Sequence, residues 1–187
     1  ITLQRAGLSV LLLEAKSTIG GGLRTEGFCL PGFKHDICSA IHPMAAASPF
    51  FQTLPLNNFG LEYIYPPVAA AHPFDDGTAA KLEKSVEVTA LSLGEDAETY
   101  IKLMLPVIQS WPSIANDALS PLKIPKHPLL MAKFGAVAMQ SALSVAKRFK
   151  SKAARGLWAG MAAHSIQPLS NTATAAIALV LSAVGHI

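Results

Sequence analysis

The sequence is poor in charge, in cysteine and in long uninterrupted apolar runs. Only 14% of its 187 residues are charged and the net charge is +3. No Lys/Arg stripe interleaved with aromatics is visible, so the electrostatic footprint of a nucleic-acid binder is missing. Cys29 and Cys38 are the two cysteines. With no CxxC and no companion histidine spacing they make no zinc motif, and two reduced, partly buried thiols are expected. The six histidines are scattered, without an HxxxH or HExxH pair. GxSxG is absent as well. The longest apolar stretch is "ATAAIALVLSAVGHI" at 173–187. It is roughly 15 residues, short of the ~20 that a bilayer-spanning helix needs, and reads as a buried helix. The chain does not open on a basic leader with a cleavage-like site, which points to the cytoplasm.

What the sequence does have is apolar mass. Hydrophobic residues make up 51% of it, enough for a packed core and too much for a disordered chain. Residues 1–7 read as the tail of a helix, with Arg5 favoured by the helix dipole and Gly7 as a left-handed stop. Residues 8–15, "LSVLLLEA", form a continuous apolar run without alternation, as in a strand buried on both faces of a parallel sheet. A glycine turn follows at 17–27, then extended chain over 28–42 broken at Pro31-Gly32. Short strands and turns are expected over 59–78, with "DDGT" (75–78) as a turn, and a helix over 79–92. An amphipathic helix at 95–111 carries Tyr100, Ile101, Met104, Leu105 and Ile108 at helical spacing, kinked at Pro106. A proline-punctuated connection spans 120–128, and further helices are expected at 129–149, 154–164 and from about 172. Composition changes near residue 45, from glycine-rich strand and loop to helices rich in Ala, Leu and Met. The chain thus divides into 1–45, the remnant of a nucleotide-binding domain, and 46–187, part of a mostly helical substrate-binding domain. The fold class is α/β, a partial Rossmann-like segment followed by a largely helical domain with a few short strands.

The chemistry concentrates between residues 14 and 43. Glu14 ends the apolar run, where a Rossmann-type site places the acid that accepts hydrogen bonds from the adenosine ribose. Taken alone it reads rather as a strand-end acid facing water. Gly20, Gly21 and Gly22 follow, and backbone free of side chains lets N–H groups approach a pyrophosphate. Arg24 offers a forked donor to phosphate or to a flavin edge, with Thr25 beside it.

The segment "VLLLEAKSTIGGGLRTEGFCLPGFKHDICSAIHP" resembles phytoene dehydrogenase-like FAD-dependent oxidoreductases, within the amine-oxidase-like flavoproteins. The family pattern of strand-end Glu, short loop, Gly-Gly, small residue and Arg-Thr is matched by Glu14, Gly20, Gly21, Gly22, Arg24 and Thr25. Its "PGF…D…SA…HP" continuation is matched from Pro31 to Pro43. The resemblance implies FAD in an extended pose, with Glu14 at the ribose and Gly20, Gly21, Gly22, Arg24 and Thr25 along the pyrophosphate and the flavin side. It also implies removal of hydride from a hydrophobic, carotenoid-like small molecule. The family's first strand and GxGxxG loop do not occur in this sequence, so a fragment of such an enzyme is expected, and with it a chain that can lack bound FAD. No residue is identified as catalytic. The alternative is a non-catalytic module derived from a flavoprotein that holds an apolar ligand or a protein partner. His42 lies in the matched segment and reads either as a packed histidine or as one facing the flavin.

Two expectations about partners complete the reading. The run "AKRFKSKAARGLW" places Lys147, Arg148, Lys150, Lys152 and Arg155 beside Phe149, Leu157 and Trp158. It fits peripheral contact with an anionic membrane, and fits as well a solvated helix end whose cations favour the dipole. A partial parallel sheet leaves strand edges and apolar faces open, so self-association is expected.

Overall fold

A computed structural model describes residues 1–121 and 123–187. Leu122, within the connection expected at 120–128, lies outside the described residues. The chain separates into two compact units, Ile1–His42 and Pro43–Ile187.

The first unit opens with a single helical turn, α1 (Thr2–Arg5), closed as expected by Gly7 at φ 82°. Residues 8–15 depart from expectation. They form no strand, and Leu11, Leu12 and Leu13 are 82%, 90% and 81% exposed rather than buried. The physical reason is the missing ladder: both sheets among the described residues are two-stranded antiparallel pairs, so no neighbouring strand covers or bonds this segment. The parallel sheet of a Rossmann-like fold is therefore not shown. The extended stretch around Pro31-Gly32 resolves into a hairpin, β1 (Thr25–Glu26) against β2 (His35–Asp36). The Thr25 hydroxyl donates to Asp36 Oδ1 at 2.6 Å and adds a side-chain tie across the pair. Cys29 and Cys38 are free thiols, exposed rather than partly buried, because this unit contributes no residue to a buried core.

The second unit begins with α2 (Pro43–Ala46) and two 3₁₀ turns, Phe51–Thr53 and Leu56–Phe59. A hairpin follows, β3 (Val68–Pro73) and β4 (Ala79–Glu83), joined by the DDGT turn with Gly77 at φ 80°. This corrects the helix expected over 79–92. After the turn the chain pairs back on β3, and alternation buries Ala80 and Leu82. Ser85 then ends the strand region and caps α3 (Val86–Ser92), its hydroxyl accepting the Val88 N–H.

α4 (Ala97–Gln109) is the expected amphipathic helix and contains Pro106; α5 (Trp111–Ala118) succeeds it. The single helix expected over 129–149 is two, α6 (Pro128–Ala138) and α7 (Ala142–Ala146). The break has a definite cause. The carbonyls of Met139 and Gln140 accept N–H groups of Ala173 and Ala175, each at 3.2 Å, and Ser141 caps the new helix by accepting from Ser144. α8 (Lys152–Ala163) and α9 (Thr174–Gly185) finish the chain.

α9 is the central element of this unit. Ala175, Ala178, Leu179 and Ala183 are fully buried on it, and it packs against α4, α6, α7, α8 and β4. The Thr174 hydroxyl receives the Ala142 N–H at 2.8 Å, and the Trp158 indole donates to the Ala142 carbonyl at 2.9 Å. One residue of α7 is thereby tied to both α8 and α9. Close approach of β3 to α8 requires glycine: a Cβ on Gly160 would run into the His72 ring. No helix among the described residues is long and apolar enough to cross a membrane.

Candidate functional site

The cofactor-binding residues expected from the sequence lie in the first unit. Gly20 and Gly21 both take positive φ, 122° and 57°, and the Leu23 N–H closes the turn on the Gly20 carbonyl at 2.8 Å. A Cβ on Gly20 would sit 2.8 Å from the Leu23 carbonyl oxygen, so the turn admits no side chain there. Among the described residues no backbone carbonyl accepts the N–H of Gly20, Gly21 or Gly22, and successive free N–H groups in such a turn suit an anion. The turn leads into the β1–β2 hairpin. Ser39 donates its N–H to the Gly22 carbonyl at 3.1 Å, and Ile37 donates to the Arg24 carbonyl at 2.9 Å. Gly22, Arg24 and Thr25 are thus held on one ribbon. Arg24 is half-buried, and its Nε has no hydrogen-bond partner.

Glu14 stands apart from this ribbon. It is exposed at the end of the unpaired segment, where its Oε1 accepts the Lys16 N–H at 2.9 Å. No hydrogen bond joins it to the glycine turn among the described residues. His42 is half-buried, with Nδ1 3.4 Å from the Ser39 hydroxyl. In donor and acceptor chemistry, the turn and Arg24 suit a pyrophosphate and Glu14 a pair of ribose hydroxyls.

The second unit holds a cavity of about 390 Å³. One stripe of α4 forms a wall with Thr99, Leu103, Pro106 and Val107, and α6 faces it with Leu130, Phe134 and Val137. Ile114 and Leu179, each 1% exposed, close the floor. The charged lining residues are all cations: Lys102, Lys133 and Arg148. In sequence the Met and aromatic residues of these helices read as core, with pocket lining as the alternative, and Arg148 reads as part of the basic run. A signal for the cavity's charge is nonetheless present there. No Asp or Glu follows Asp117, whereas eight Lys and Arg do.

The basic run itself is largely engaged within the unit. Lys150 Nζ lies 3.6 Å from Glu95 and Lys152 Nζ 2.8 Å from Asp76. Lys152 also sits over the Phe74 ring. Arg155 donates to the Phe149 carbonyl and Arg148 to the Gln140 side chain. The Lys152 ammonium, with the Thr78 hydroxyl and N–H, holds the Asp76 carboxyl far below its ordinary range. Asp75-Asp76-Gly77 is a turn tied to α8.

No family model matches the chain, and no solved structure matches it. The chain is similar to one of the subunits of limonene dehydrogenase from Castellaniella defragrans, at 37% identity over 107 residues. The match covers 55% of this chain and 19% of that protein's length.

Proposed function

We propose that this chain is part of an FAD-dependent oxidoreductase that removes hydride from a hydrophobic small molecule. The observation that carries the reading is the similarity to a component of a dehydrogenase over more than half of the chain. The glycine turn and Arg24 support the cofactor assignment, since both present donors suited to a pyrophosphate. In this reading Gly20, Gly21, Gly22, Arg24 and Thr25 hold the phosphates and Glu14 accepts the ribose hydroxyls. Residues 8–15 pair with strands supplied by the remainder of a Rossmann-like domain. The exposure of Leu11, Leu12 and Leu13 supports such a partner, because a run of three bare leucines is costly in water. The flavin supplies the redox chemistry, and the chain's own residues bind and orient it. Because the relative is named as one subunit of its enzyme, we place this chain within an assembly.

The test is cofactor content. The natural polypeptide carrying this chain is purified, and its visible spectrum and released nucleotide are measured. Bound FAD at one per chain, weakened by Arg24→Gln, is the expected result. A colourless protein that takes up no added FAD overturns the reading.

A further inference from the structure

We propose that the α4–α6 cavity binds a single-chain anionic amphiphile, an alkyl carboxylate in the simplest case. The inference is independent of the flavin reading, because no residue of Ile1–His42 lines the cavity.

Size and lining come first. A volume of about 390 Å³ falls in the ~300–1,000 Å³ range of small-molecule sites. Leu103, Val107, Phe134 and Val137 offer an apolar slot, and among the lining residues Thr99 is the one neutral side chain with a hydroxyl. Such a slot takes a hydrocarbon body and gives few polar anchors along its length.

Charge selects the head group. Three cations from three different segments border the slot, and no carboxylate lines it. Lys102 is neutralised by Glu98 one turn earlier on α4. Lys133 has no carboxylate partner among the described residues, and α6, on which it lies, contains no acid. Arg148 is oriented by a neutral group, its Nη2 donating to Gln140 Oε1 at 3.2 Å. Two cations without carboxylate partners therefore border an apolar slot, in a stretch of chain without a single acid after Asp117. A carboxylate at this rim meets a forked guanidinium and an ammonium, while its alkyl chain leaves water. A neutral alcohol gains only the second term, and an alkylammonium is repelled.

Calorimetric titration at neutral pH with octanoate, 1-octanol and octyltrimethylammonium tests this. Octanoate is expected to bind saturably at one site, at least about tenfold tighter than the alcohol, with affinity falling as salt rises. The alkylammonium is expected not to bind. The variant K133Q/R148Q, with an unchanged circular dichroism spectrum, should lose the preference for octanoate and keep the alcohol's affinity. Equal affinity for acid and alcohol overturns the proposal, as does unchanged octanoate binding in a folded K133Q/R148Q protein. Absence of octanoate binding overturns it too, including the case where the protein binds phosphatidylglycerol vesicles but not the free acid.

Discussion

The Tyr100 hydroxyl lies 2.8 Å from His186 Nε2, joining the first turn of α4 to the end of the chain across 86 residues. The rings meet edge to face at 5.9 Å between centroids. The second imidazole nitrogen, Nδ1, is 3.3 Å from the Lys84 carbonyl. The network assigns the proton to Nδ1, which donates to that carbonyl, and leaves Nε2 to accept from the phenol. Both residues are buried, at 3% and 9% exposure. Tyr100→Phe removes the donor and strands Nε2, so a loss of about 1–3 kcal/mol is expected. Urea unfolding measures it, and an unchanged midpoint would show the contact to be inert.

The same histidine gives the protein a pH dependence. Burial lowers the His186 pKa, against the pull of the Lys84 and Glu83 backbone and of Glu87. Burial and the neighbouring His164 lower that of His72. Unfolded histidine titrates near about 6.5, above both folded values. At higher pH both states are neutral and the contribution is complete. As pH falls below about 6.5 the unfolded chain takes up protons that the folded one refuses, and stability drops. Melting temperatures between pH 8 and pH 5 should therefore decline toward acid, and the Tyr100→Phe, His186→Gln double variant should decline less steeply.

Asp96 is 1% exposed and receives the N–H of Lys150 at 2.9 Å and of Ser151 at 2.7 Å. Burial alone would raise its pKa. The hydrogen bonds from Ser151 and Lys150 outweigh it and the net direction is down. The carboxylate thus pins the start of α8 to the start of α4. Asp96→Asn keeps one acceptor and loses the charge, with an expected cost of about 2 kcal/mol in denaturant unfolding.

Of the two glycines of α8, Gly160 is the one whose added Cβ would come nearest a neighbour, the His72 ring. Gly160→Ala forces β3 away from the helix, and overpacking of this kind costs about 1–3 kcal/mol. Gly135 on α6 has open space around it, so Gly135→Ala should be neutral or stabilising. The pair, compared by thermal unfolding, separates a packing requirement from helix propensity.

Legibility in the sequence follows the range of the interactions involved. The α1 stop at Gly7, the DDGT turn, α4 and α8 rest on short-range signals and are readable from the residues alone. The split between α6 and α7 is not, because it depends on carbonyls of Met139 and Gln140 bonding to residues more than thirty positions away. β4 reads as helix because its alternation, eased by alanines, is short and its partner lies across a turn. The glycine turn is legible from Gly20-Gly21-Gly22 alone. The strand character expected of residues 8–15 rests on an apolar run, a pattern that only neighbouring strands can turn into a sheet. The absence of acids after Asp117 is legible, but the cavity's outline is not, because Lys102 of α4, Lys133 of α6 and Arg148, just after α7, are brought together only by the fold.

In the function proposed above, the Gly20–Arg24 turn holds FAD. The most direct measurement is FAD bound per polypeptide in the natural protein, compared with its Gly20→Ala variant, in which a Cβ would meet the Leu23 carbonyl at 2.8 Å. One FAD per chain is expected in the parent and a loss of at least about tenfold in affinity in the variant, with the helical unit's melting unchanged. A parent free of flavin, or a variant that binds FAD as tightly as the parent, would contradict it.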